Sequence, residues 1–167
     1  EDERLYHFGP MNSLAIYAGP SALQRITNEG FKPEQFKLML GASGGPKWFV
    51  LFGLDRYLFA NFFSNRKESL YTIGSSVGAW RMCCLAASDP AKCLERLANY
   101  YCHEDYSHMT SVKEVTESAR VMLEKILIDD SKTKVVHNKV YKTHIVTVRS
   151  KGINPSAGDF AHALHLG

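Results

Sequence analysis

The strongest constraint on the fold is the run Leu70-Tyr71-Thr72-Ile73, followed without a spacer by Gly74-Ser75-Ser76-Val77-Gly78 and then by an apolar stretch from Ala79 to about Ala87. The first run reads as a short strand and the last as a helix apolar on most sides. Glycines two before and two after Ser76 permit a sharp, strained reversal from strand into helix. A strand that passes directly into a buried helix belongs in an α/β architecture.

The rest of the chain repeats that alternation. Leu14-Ala15-Ile16-Tyr17 is a short apolar run closed by Gly19-Pro20, after which Ala22, Leu23 and Ile26 fit a helix ending at Gly30. Phe36-Lys37-Leu38-Met39-Leu40 reads as a second strand, broken by Gly41-Ala42-Ser43-Gly44-Gly45-Pro46. Pro46 suits a first helical turn, and the aromatic-rich stretch to about Phe63, charged after Lys47 only at Asp55 and Arg56, predicts a core helix buried on most sides. Asp89 caps a predicted helix over 90–102, and Ser111-Val112-Lys113-Glu114 is a capping box opening another, with Val112, Val115, Ala119, Met122 and Ile126 at helical spacing. The β-branched alternation Thr143-His144-Ile145-Val146-Thr147-Val148 closes the pattern as a fourth strand. Strands interleaved with helices predict a mainly parallel sheet with right-handed crossovers, in a three-layer α/β/α sandwich.

At 167 residues the chain suits one domain over 11–167. Residues 1–10 lack periodicity and read as a flexible leader or expression remnant ahead of Met11. A net charge of +3 from 20 basic and 17 acidic residues, with no basic stripe, gives no footprint for nucleic acid. Cys83, Cys84, Cys93 and Cys102 have neither C-x-x-C nor metal-ligand spacing and read as buried free thiols, so no metal and no cofactor is expected. With no signal-like start and no apolar run of about 18 residues, the expected setting is cytoplasmic.

A serine hydroxyl is a poor nucleophile unless held exposed beside a base, and the G-x-S-x-G turn does that holding for Ser76, with Gly74 and Gly78 flanking it. The following helix N-terminus favours the oxyanion of acyl transfer. A second group of donors is needed for that charge, and Gly44-Gly45-Pro46-Lys47 supplies it: two glycines whose N–H groups can approach a substrate oxygen, with Lys47 adding positive charge. The plain reading of that segment is a strand-to-helix turn with a surface lysine; paired with the serine motif it gains a task.

These two motifs, in this order, resemble the patatin-like phospholipases, which carry a Gly-Gly-x-Arg/Lys oxyanion loop ahead of a G-x-S-x-G serine on the next strand-turn-helix. The resemblance covers about residues 14–87, with Gly53 where the family often repeats a glycine; Ser43 and Trp48 stand where it has further glycines. It implies a serine-aspartate dyad acting on a lipid or other acyl ester, with peripheral membrane contact compatible with that substrate. The family's aspartate lies in an Asp-Gly-Gly or Asp-Gly-Ala turn, and no Asp-Gly pair occurs here; Asp159 is a weak substitute because no glycine follows it. The chain therefore reads as the N-terminal portion of such a domain, its aspartate expected past residue 167.

Other assignments compete. Gly41-Ala42-Ser43-Gly44-Gly45 also fits G-x-S-x-G, but with Ser43 as nucleophile the upstream loop Ala18-Gly19-Pro20 offers one glycine and no basic residue as oxyanion site. A histidine base would come from His144, His162 or His165; a packed or solvent-edge role fits His144 better, and His162 with His165 lacks a third metal ligand. Arg81 fits a carboxylate, a phosphate head group or a plain salt bridge. The alternative function is a non-catalytic domain that binds an anionic or acyl ligand at the Gly-rich loop and helix N-terminus.

Overall fold

The computed structural model describes residues 16–105, 107 and 111–148. They fall into two compact units, divided between residues 36 and 37. In the first unit, helix α1 (Pro20–Glu29) begins with proline and ends at Gly30, whose φ of +81° favours glycine. Of the expected strand at 14–17, residues 14 and 15 lie outside the described residues.

The second unit contains a three-stranded parallel sheet in the order β1 (Leu38–Gly41), β2 (Leu70–Gly74), β3 (Tyr141–Ile145). β1 leads into residues 45–62, which are wound first as a 3-10 helix (Gly45–Leu51), then as α2 (Phe52–Tyr57), and finally as a π turn (Leu58–Phe62) closed by Phe63 N–H donating to Leu58 O. β2 leads into α3 (Val77–Ala86), followed by α4 (Pro90–Cys102), α5 (Val112–Ile126), and α6 (Ser131–His137), which precedes β3. Both predicted caps form: Asp89 accepts from Lys92 N–H at 3.1 Å, and Ser111 and Glu114 exchange the two bonds of a capping box.

α3 is the core of this unit. It packs against all three strands, with α4 behind it and α5 behind α4. Val77, Met82, Cys84 and Leu85 of α3, Leu94 and Leu97 of α4, and Met122 and Ile126 of α5 are all buried in these layers. Along β2, Leu70, Thr72 and Gly74 face α3 and are buried, while Tyr71 and Ile73 point the other way. The opposite face of the sheet, with Leu38, Leu40, Tyr71 and Ile73, is exposed, Leu40 to 68 %. The α/β class and the parallel sheet are as expected; of the expected three layers, this unit shows its sheet and one helical side among the described residues.

Two expectations are corrected. Residues 45–62 are not buried on most sides: Trp48, Asp55 and Phe59 face inward, but Val50 is 86 % exposed and Tyr57 lies open, because only one stripe of this segment meets the helices beside it. Of the four cysteines, all free, Cys84 and Cys93 are buried and Cys83 is half-buried, but Cys102 is exposed at the end of α4.

Candidate active site

β1 and β2 run parallel with Gly41 opposite Gly74, so the loops leaving their carboxyl ends start side by side. Ligands of open α/β sheets bind outside the carboxyl ends of the strands. Ser75 N–H donates to Gly41 O at 3.3 Å, tying the serine turn to the end of β1.

The turn itself is strained at one residue. Ser76 has φ 49° and ψ −132°, a backbone conformation that side-chain-bearing residues rarely adopt. It caps α3 from outside the helix and its side chain makes no cap bond, so the residue is exposed at the mouth of the turn. Its hydroxyl has no hydrogen-bond partner among the described residues. The N–H of Val77, the first residue of α3, also has no acceptor among them, as expected for an orphan donor at a helix N-terminus.

The glycines around Ser76 are required by contact. A Cβ on Gly74 would lie 2.6 Å from the Ala79 backbone, and one on Gly78 would lie 2.0 Å from Gly41 O and 2.7 Å from Ala42 O. Gly41 is bound by the same contact, since its Cβ would sit 2.6 Å from Gly78 O. Strand ends and helix therefore touch backbone to backbone, and the first turn of α3 is pressed against the start of the 42–45 loop.

That loop holds the second expected group. Gly45 has φ +53°, which favours glycine, while the nearest atom to its missing Cβ is the Tyr101 hydroxyl at 3.6 Å. The N–H groups of Gly44 and Gly45 have no acceptor among the described residues, whereas Gly44 O accepts from Lys47 N–H. Lys47 is exposed and makes no ion pair among the described residues. Buried Trp48, edge-on to Tyr101 of α4 at 6.5 Å between centroids and stacked on Phe49 at 4.7 Å, anchors the segment behind the loop.

Ser43, the competing serine, lies exposed on this loop without a positive φ. Its flanking glycines do not pack against the helical segment that follows it: Gly41 meets α3, and the nearest atom to a Cβ on Gly45 is the Tyr101 hydroxyl of α4 at 3.6 Å.

Arg81 points inward. It donates from Nε to Asp55 Oδ2 at 2.6 Å and from Nη2 to Asp55 Oδ1 at 2.8 Å, with Asp55 2 % and Arg81 4 % exposed. Of the three readings of Arg81, the core salt bridge is the one the structure contains. The pairing has only a faint signal in the sequence: Arg81 is the one charge in α3, and Asp55 is the one acid in the 45–62 segment.

His144 is exposed on β3, its Nδ1 lying 2.9 Å from Lys142 O and its ring beside Tyr71. His162, His165 and Asp159 lie outside the described residues. Among the described residues no group of three or more His, Cys, Asp or Glu side chains could hold a metal ion, and no helix is long and apolar enough to cross a membrane. A cleft of about 430 Å³ opens between α6 and β3, lined by Cys83, Val135, Tyr141, Thr143 and His144 among others, and includes neither Ser76 nor the Gly44–Lys47 loop.

Compared with known protein families, with curated proteins and with solved structures, the chain matches none.

Proposed function

We propose that the chain carries a serine acyl-hydrolase site for carboxylic esters of lipids, of the patatin-like type. The observation that carries this reading is the backbone of Ser76, held at φ 49° and ψ −132° between glycines packed to backbone contact. Such strain persists only where surrounding structure enforces it, and it concentrates at reactive residues. In the proposed step Ser76 Oγ attacks the ester carbonyl and gives its proton to a base. The N–H groups of Gly44, Gly45 and Val77 receive the oxyanion, and Lys47 adds positive charge. The alcohol leaves with the proton, and water then releases the acid by the same route. In this type of site the base of the dyad is an aspartate.

The proposed fold is the three-layer sandwich: a parallel sheet is normally covered on both faces, and the exposed Leu38, Leu40, Tyr71 and Ile73 form an apolar surface suited to a second helical layer. A lipid substrate entails peripheral contact with a membrane or micelle, and four free thiols accord with a reduced, cytoplasmic setting.

A fluorophosphonate probe on the intact protein tests the reading. Labelling is expected in wild type and in Ser43→Ala, and none in Ser76→Ala. Labelling that survives Ser76→Ala and vanishes in Ser43→Ala moves the nucleophile to the other loop. A folded wild-type protein that takes no label supports the non-catalytic binding domain instead.

A further inference from the structure

Asp55 and Arg81 lie on the two helical segments whose N-terminal ends carry the two halves of the candidate site. Asp55 belongs to the winding that starts at Gly45, immediately after the Gly-rich loop; Arg81 belongs to α3, which starts next to Ser76. Both members are buried, whereas pairs such as Lys37–Glu68, Arg56–Glu95 and Lys132–Glu124 lie at the surface.

Stability alone explains such a pair poorly, since two well-packed apolar side chains of similar volume usually serve a core as well or better. What a fork of two parallel hydrogen bonds adds is direction. Bonds at 2.6 and 2.8 Å join α2 to α3 at one buried point and so restrain the rotation of the 45–62 segment and its offset along α3. Both coordinates bear on where the N–H groups of Gly44 and Gly45 point relative to Ser76. The Gly78 contact with Gly41 and Ala42 fixes the near end of the loop, and Asp55–Arg81 fixes the helix that continues from it.

We propose that Asp55 and Arg81 are positioning residues that hold the oxyanion loop in register with the serine turn. This rests on the hydrolase reading above. Displacement of a reacting group by about 1 Å costs on the order of 100-fold in rate.

The test is the double variant Asp55→Leu/Arg81→Met, which removes both charges at similar volume, alongside Arg81→Lys, which keeps the charge and loses the fork. Three quantities are read on the intact protein: the thermal midpoint, the amide resonances of Gly44, Gly45 and Val77, and the rate of fluorophosphonate labelling. The double variant is expected to unfold cooperatively near the wild-type midpoint, with shifted or broadened Gly44 and Gly45 amides and labelling slowed about 10- to 100-fold. Arg81→Lys is expected to slow labelling about 10-fold with its midpoint little changed, and it decides the matter should the double variant not fold. Wild-type Gly44 and Gly45 amides and wild-type labelling in folded variants overturn the proposal. A folded wild-type protein that takes no label overturns the hydrolase reading, and the amide spectra still decide whether the pair positions the loop.

Discussion

Ser76 stands in a backbone conformation that suits glycine, and replacing it separates the strain from the chemistry. Holding a residue with a Cβ in such a region costs about 1–3 kcal/mol. Glycine removes that cost but brings an entropic penalty of about 0.5–1 kcal/mol, because it has more freedom to lose on folding. Ser76→Gly is therefore expected to stabilise the fold by about 1 kcal/mol. Ser76→Ala keeps the Cβ and deletes an exposed hydroxyl that has no partner among the described residues, so its effect should stay within about 0.5 kcal/mol of wild type. For a chain of this size 1 kcal/mol moves the midpoint by about 2–4 °C. Calorimetry should place Ser76→Gly about 3 °C above wild type and Ser76→Ala beside it, with fluorophosphonate labelling lost in both. If Ser76→Gly melts at or below Ser76→Ala, the serine is not strained in the folded protein, and the observation carrying the functional reading falls.

Two other glycines give opposite expectations. Gly78→Ala places a Cβ 2.0 Å from Gly41 O and 2.4 Å from Gly41 C, a backbone clash that no rotamer relieves, and should cost about 3 kcal/mol or more in urea unfolding; Gly53→Ala, in α2 with nothing within 4 Å, should gain up to about 1 kcal/mol. The Cys83 thiol predicts an alkaline limit to stability. Burial pushes it from the ordinary value of 9.0 up to about 11, so above pH 9 the unfolded chain loses this proton while the folded protein keeps it. Stability should be unaffected by this group below pH 9 and fall by up to about 2 kcal/mol between pH 9 and 11, and Cys83→Ala should flatten that part of a midpoint-against-pH curve. A steep fall that persists unchanged in Cys83→Ala would assign it elsewhere.

Much of the local structure was legible because its causes are local. Pro90 after Asp89 defines the start of α4, and the Ser111–Glu114 box defines the start of α5, since a cap needs only residues within one turn. α6 escaped notice: its seven residues are too few to establish a period, and the cap position before it, Asp130, makes no side-chain cap bond. β3 begins two residues before the expected Thr143, at Tyr141, whose N–H and that of Val140 are both taken by the Asn138 side chain, a turn bond invisible to strand propensity.

The same division runs through the candidate site. Strand, Gly-x-Ser-x-Gly and helix were readable as a unit because glycine spacing and flanking hydrophobicity lie in one stretch of chain, and the Gly44–Gly45 loop was readable for the same reason. The role of Gly41 was not, because the atoms it meets belong to Gly78, on another element. Nothing local links Asp55, whose neighbour in sequence is Arg56, to Arg81, 26 residues on; packing joins them. The sequence thus determined α1, β2, α3, α4, α5 and the serine turn, since steric and capping preferences act over a few residues. The parallel register that sets Gly41 beside Gly74, and the buried pair that orients one helix on another, depend on groups far apart in the chain, and only the tertiary structure brings those within the few ångströms over which such contacts act.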